Sequence, residues 1–222
     1  MPYIIRPRRV HDLLSALFAS NRRWVRNVVS AVFAAGVLFG TIPAVAEAGC
    51  PHKSASHVFE ALGDNALYVL VEGGTFETGA PGWWLNNAEI TEGDGAEGST
   101  HSLTIQPGGV AVSPALCVSD EYPSFRFFVR QVSGEGQLNV SLRWRDMLGF
   151  RHSTNAGSID PTGTSWELSP ALDLASKLPL WMAGNSLQVN LAFESSRGMG
   201  FGSDQGSGAF AIDDVYVDPY AR

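Results

Sequence analysis

Three stretches of the chain alternate apolar and polar residues with a period of two. Pro123–Val132 puts Phe125, Phe127 and Val129 on one face and Arg126, Phe128 and Arg130 on the other. Gln137–Arg145 sets Leu138, Val140, Leu142 and Trp144 against Asn139, Ser141, Arg143 and Arg145. Leu187–Phe193 sets Leu187, Val189, Leu191 and Phe193 against Gln188, Asn190 and Ala192. A helix, repeating about every 3.6 residues, scatters such a pattern around its circumference, whereas a strand sorts it onto two faces. Shorter runs over Leu67–Val71, Ala88–Glu92, His101–Ile105, Gly109–Ser113 and Ala209–Val217 have the same character, with Gly, Pro, Asn and Asp between them. Short strands at hairpin-like spacing predict an all-β domain, an antiparallel β-sandwich or jelly roll. Helix is expected only as a short piece in Ser169–Lys177 or near Leu178–Trp181. The 24 glycines and 17% charged residues exclude a coiled coil.

Charge divides the chain. Residues 1–48 hold six arginines and two acids; residues 49–222 hold nine basic and twenty acidic side chains, a net charge of −11. An acidic body speaks against nucleic acid and anionic membrane as general partners. The leader has a basic stretch ending at Arg26, an apolar run from Val28 to Ile42, and small residues through Ala44, Ala46 and Ala48. That is the layout of a secretory signal peptide. The alternative is a retained membrane anchor over residues 28–46. The apolar run is shorter than the roughly 18–20 residues that span a bilayer, which favours cleavage. The expected organisation is residues 1–48 as extension and signal peptide, 49–66 as an N-terminal arm, and 67–222 as the β domain, secreted or held at the cell surface. Ser195–Gly208 reads as a Gly/Ser-rich loop between two strands.

Cys50 and Cys117 are the two cysteines. An even count in an exported chain favours one disulfide, tying the arm to the middle of the domain; two free buried thiols are the alternative. Without CxxC spacing they make no zinc site.

Gly73-Gly74-Thr75-Phe76-Glu77 with Pro81-Gly82-Trp83 stands near the start of the body, and Ile212-Asp213-Asp214-Val215 near its end. This pairing resembles the galactose-binding-like jelly roll, the fold of many carbohydrate-binding modules. Together with Cys50, Cys117, Arg126-Phe127-Phe128 and the ending Ile212–Tyr220, the chain is similar to a group of exported actinobacterial proteins of unassigned function. The resemblance implies first and last strands side by side. It also implies a structural calcium held by Glu77 and Asp213, with the Thr75 carbonyl as a third ligand. Calcium takes several oxygens, which such an arrangement supplies. Period two places Asp213 on the face of Val215 and Val217, where a carboxylate needs a cation or hydrogen bonds. The alternative is that Asp213 or Asp214 caps turn amides or pairs with Arg126 or Arg130.

Five of the body's nine basic residues (Arg126, Arg130, Arg143, Arg145 and Arg151) fall within residues 126–151. With Phe128, Gln188, Asn190 and a loop tryptophan, Trp83 or Trp84, they form a candidate surface for a glycan or cell-wall polymer, by stacking and hydrogen bonding. Clustered arginine suits a carboxylated or phosphorylated ligand. The alternative is ordinary cross-strand ion pairing. The histidines match no metal motif, and no G-x-S-x-G is present. The expectation is a non-catalytic binding protein. The alternatives are a surface module with no small ligand and, behind it, a polysaccharide hydrolase using loop carboxylates.

Overall fold

The computed structural model describes Cys50, residues 53–196 and residues 208–218. The signal peptide or anchor, and most of the Ser195–Gly208 loop, lie outside the described residues. The alternating stretches are strands, numbered here β1 (Val69–Leu70), β2 (Trp84–Glu92), β3 (His101–Val112), β4 (Leu116–Ser119), β5 (Ser124–Ser133), β6 (Leu138–Arg145), β7 (Arg151–Ile159), β8 (Glu167–Leu168), β9 (Leu172–Asp173), β10 (Ser186–Ser195) and β11 (Ala209–Val217). The helix expected near residues 169–181 is two single 3-10 turns, Ala175–Lys177 and Leu180–Met182.

All named strand pairs are antiparallel, and they join into one sheet that curls on itself. One half holds β1, β11, β5, β8 and β9; the other holds β4, β10, β6 and β7. The inner faces carry the predicted apolar residues. Phe125, Phe127 and Val129 of β5 meet Val140 and Leu142 of β6 and Val189, Leu191 and Phe193 of β10 in one buried core. The rings of Phe127 and Phe193 meet edge to face across it, centroids 5.0 Å apart. The two halves thus pack as a sandwich.

β3 belongs to both halves. Its Leu103–Ile105 pairs with β11 and its Val110–Val112 with β10. The two runs expected over His101–Ile105 and Gly109–Ser113 are therefore one strand that bends at Pro107-Gly108-Gly109. β2 bends with it through a register shift between Asn86 and Ala88, where Asn87 has φ 50°. A Cβ on Gly109 would lie 2.2 Å from the Asn87 carbonyl oxygen, so glycine is required where the strands bend together.

The start and end of the body lie side by side. Val69 and Leu70 pair with Val217 and Tyr216, and the Val71 amide donates to the Val215 carbonyl at 2.9 Å. The Val215 amide donates to the Gly74 carbonyl at 3.1 Å, and a Cβ on Gly74 would meet the Val215 oxygen at 3.0 Å. Cys50 and Cys117 are bridged, with Cα atoms 5.3 Å apart and a sequence separation of 67.

The outer face of β5 is roofed. Phe59 of the arm packs on Tyr68, Phe128 and Tyr216 with ring centroids 4.9, 5.8 and 5.5 Å away. These residues, with Ala96, Trp166 and Leu168, form a second apolar cluster outside the sandwich. Asp64 fastens the arm. It accepts hydrogen bonds from the Tyr68 hydroxyl at 2.6 Å, the Ala66 amide at 3.0 Å and Arg126 Nη1 at 2.7 Å. Burial opposes its ionisation, but these donors outweigh burial and hold its carboxyl well below the ordinary range.

Candidate functional site

The expected ligand residues do not share one surface. β5 pairs with β11, β8 and β9, while β6 pairs with β10 and β7, so the consecutive strands β5 and β6 sit in opposite halves. Phe128 is buried under the arm. Arg126 pairs with Asp64, and Arg130 pairs with Asp94 and lies over the Trp166 ring at 5.2 Å. These three hold the roof in place. Trp83 is core, in edge-to-face contact with Phe76 and with its Nε1 donating to the Glu72 carbonyl. Trp84, one residue on, faces outward and is 56% exposed.

Among the described residues, nothing roofs the outer face of the other half as the arm roofs β5. Strand register aligns its outward residues in rows. One row runs Trp84, Val112, Ala192, Ser141 and Asn155 across β2, β3, β10, β6 and β7. The next toward one end is Asn190, Arg143 and Ser153, and beyond it Arg145 stands opposite Arg151. Five strands at about 4.8 Å spacing make this face about 19 Å across. A groove of about 750 Å³ occupies one end. Arg143, Arg145, Arg151, Ser153, Gln188 and Asn190 line it. Arg143 pairs with Glu194, reaching diagonally over the Ala192–Ser141 row, and Ser141 Oγ also donates to Glu194. Asn190 Nδ2 donates to the Ser113 carbonyl at 2.8 Å. Cys117 of β4 sits opposite Gln188 of β10, so the bridged strand pairs with the strand that carries Gln188. The structure therefore gathers Arg143, Arg145, Gln188 and Asn190 of the expected set. Arg151, expected near that set, joins them from β7 and brings Ser153 with it; β7 has too little apolar alternation to read as a strand from sequence.

A larger cleft of about 870 Å³ lies beside the arm, lined by Asp64, Tyr68, Ser124, Arg126 and Asp218 among others. Its Asp64–Arg126 pair is committed to fastening the arm, so the open face is the better candidate site.

The carboxylates of the two end motifs lie in a third place. Glu77 accepts from Ser99 Oγ at 2.6 Å, the Thr100 amide at 2.7 Å, Thr100 Oγ1 at 2.6 Å and the His101 amide at 2.9 Å. The Ser99 and Thr100 hydroxyls and the His101 amide hold it well below the usual carboxylate range. Asp213 is fully buried and accepts from the Ala96 amide at 2.9 Å and the Asp214 amide at 2.8 Å. Burial, aided by the charge of Asp214, raises it to about 7. Burial and the charges of Glu77 and Glu97 raise Asp214 to about 6. Ser99 Oγ lies against both Glu77 and the His101 carbonyl, at 2.6 and 3.0 Å. Asp213 is not on the face of Val215 and Val217. Asp214, at φ 50°, inserts a bulge between the pairs Asp213–Phe128 and Tyr216–Arg126. The extra residue turns Asp213 to the roofed outer side. Asp213 does cap a turn amide, as the metal-free alternative expected.

No family model matches the chain, and no curated protein matches it. Among solved structures it is similar to the CBM22-1 xylan-binding domain from Paenibacillus barcinonensis Xyn10C, at 15% identity and a TM-score of 0.46, over 67% of this chain and 93% of that one. It is also similar to the CBM22-1–GH10 modules of the Clostridium thermocellum endo-1,4-beta-D-xylanase 10B complexed with xylohexaose, at 17% identity and a TM-score of 0.47, over 67% of this chain and 28% of that one. A third is TmCBM61 in complex with beta-1,4-galactotriose, at 14% identity and a TM-score of 0.39, over 67% and 96%. Likeness this distant leaves both fold and site to be read from this chain's own strands and side chains.

Proposed function

We propose that the protein is an exported, non-catalytic module that binds carbohydrate or a cell-envelope polymer on the open face of β2, β3, β10, β6 and β7. The observation that carries this reading is an exposed Trp84 on the same outward face as a groove of arginine and amide groups. An indole stacks on the apolar face of a sugar ring, and guanidinium and amide groups bond its hydroxyls. Trp84→Ala is expected to weaken binding to the best polysaccharide on a glycan array about thirtyfold, the loss of one anchoring aromatic of ~2 kcal/mol. If no glycan binds the parent protein, the reading fails. The second reading, a surface module with no small ligand, draws support from the β6–β7 turn. Met147, Leu148 and Phe150 are 87%, 82% and 64% exposed there, an apolar tip suited to a protein contact.

Calcium belongs to the same proposal as a frame-holding ion. Asp213 and Glu77 would hold it with the Thr75 carbonyl. Among the described residues no three His, Cys, Asp or Glu side chains gather closely enough to hold a metal, so further oxygens would come from backbone. The support is the raised, under-served Asp213 and Asp214, whose ionised forms a cation would stabilise. This has a sign. Both carboxyls titrate higher folded than unfolded, so their contribution is full below about pH 4 and is lost as the pH rises through 6 to 7, by up to ~1.4 kcal/mol per carboxyl per pH unit. Asp64 and Glu77, both depressed, stay ionised across that window. In chelator the melting temperature is expected to fall between pH 5 and pH 8, and millimolar calcium to restore it at pH 8. Identical melting at pH 8 with calcium and with chelator removes the ion.

A further inference from the structure

The groove contains an arrangement that folding alone does not favour. Arg145 and Arg151 are directly opposed cross-strand partners at the end of β6 and β7, both exposed and both lining the groove. Opposed residues on neighbouring strands stand only about 5 Å apart, and like charges so placed repel. Neither has a carboxylate within 4.0 Å among the described residues, although the body is strongly acidic. Asp146, the nearest acid in sequence, is turned elsewhere. It accepts from the Leu148 and Phe150 amides, both at 2.9 Å, and pairs with His152 Nε2 at 2.8 Å. Arg145 Nη1 reaches the Gly149 carbonyl at 3.2 Å, which places the guanidinium without neutralising it. Arg126, Arg130 and Arg143, by contrast, each have an acidic partner.

We infer that the groove takes an acidic polysaccharide, with a sugar carboxylate seated between Arg145 and Arg151; this rests on the glycan reading above. Two guanidinium forks offer parallel donors that match an oxyanion, and an anion between them converts their repulsion into two charge-assisted pairs. Arg143, already paired with Glu194, with Asn190 and Gln188, is left to bond neutral hydroxyls. The net −11 of the body does not forbid the ligand. At about 0.1 M salt the Debye length is about 10 Å, so distant acids are screened while the two contacting arginines are not. A phosphate on a polymer shares the oxyanion chemistry, and the test separates the two.

The experiment measures binding of the full chain by titration calorimetry to polygalacturonate, to a glycerol-phosphate polymer and to neutral xylan and galactan of matched length. Polygalacturonate is expected to bind at least tenfold more tightly than the neutral polymers, and to weaken as salt is raised. Arg151→Gln is expected to lose about tenfold on polygalacturonate, to lose less than threefold on neutral glycans, and to melt no lower than the parent, because it removes a repulsion. Arg151→Lys, which keeps the charge, is expected to retain part of the affinity. Equal affinity for acidic and neutral glycans, insensitive to Arg151→Gln, overturns the inference and leaves the glycan reading standing. Preference for the phosphate polymer overturns the carboxylate. No binding to any polymer overturns both. Arg151→Gln melting well below the parent shows the pair to be structural and overturns the inference on stability grounds.

Discussion

Reducing the Cys50–Cys117 bridge, or replacing both cysteines by serine, is expected to lower the unfolding free energy by about 4 kcal/mol. The bridge closes a loop of 67 residues, and constraint of the unfolded chain grows with the logarithm of loop length. For a domain of this size that is a large share of a total of roughly 5–15 kcal/mol. The measurement is urea unfolding of the purified protein with and without reductant. Coincident curves would show that the bridge is dispensable. Function is drawn in because Cys117 lies opposite Gln188 at the groove. Loosening β4 loosens its pairing with Gln188, so under the proposed function glycan affinity is expected to fall along with stability.

Phe59→Ala is the second large effect, an expected loss of ~3–5 kcal/mol. Phe59 is 1% exposed and touches three aromatic rings, one from β5, one from β11 and Tyr68 from the arm side. Removing it leaves a cavity between the arm and the outer faces of β5 and β11. The arm should detach, taking Asp64 from Arg126 and uncovering Phe128. The checks are the melting temperature and increased binding of a hydrophobic dye. A variant that melts like the parent and binds no dye would mean the arm contributes no stability.

How far the fold could be read from residues alone differs strand by strand. β5, β6 and β10 were legible because each has one wholly apolar face and one polar face. β7 was not. Its inward positions His152, Thr154 and Gly157 are polar or small, so no period appears, yet it supplies Arg151 and Ser153 to the groove. β3 read as two strands because Pro107, Gly108 and Gly109 look like a turn; they are a bend within one strand that passes between the halves. The candidate surface was half legible for a different reason. Alternation reveals that Arg126, Phe128 and Arg130 point away from the core, but not which half β5 joins or that Phe59 will cover it. Long-range packing decides both. A period of two misplaces Asp213 because the count fails at a bulge, and Asp214 at φ 50° is one that composition does not announce. The bridge and the adjacency of the end motifs followed from the cysteine count and the family resemblance, and both are present.

The roof over β5 has a consequence for valency. Of the two outward sheet faces, the described residues cover one with the arm and leave the other bare. A module with one working face holds one polymer strand at a time and cannot by itself tie two together. Under the function proposed here, a single copy would decorate a surface, and cross-linking would demand a second copy joined to the first. In a linked pair the second contact forms at the effective concentration set by the link, typically millimolar for a short flexible one. Under that function the arm that stabilises the fold would also set the stoichiometry at which it acts.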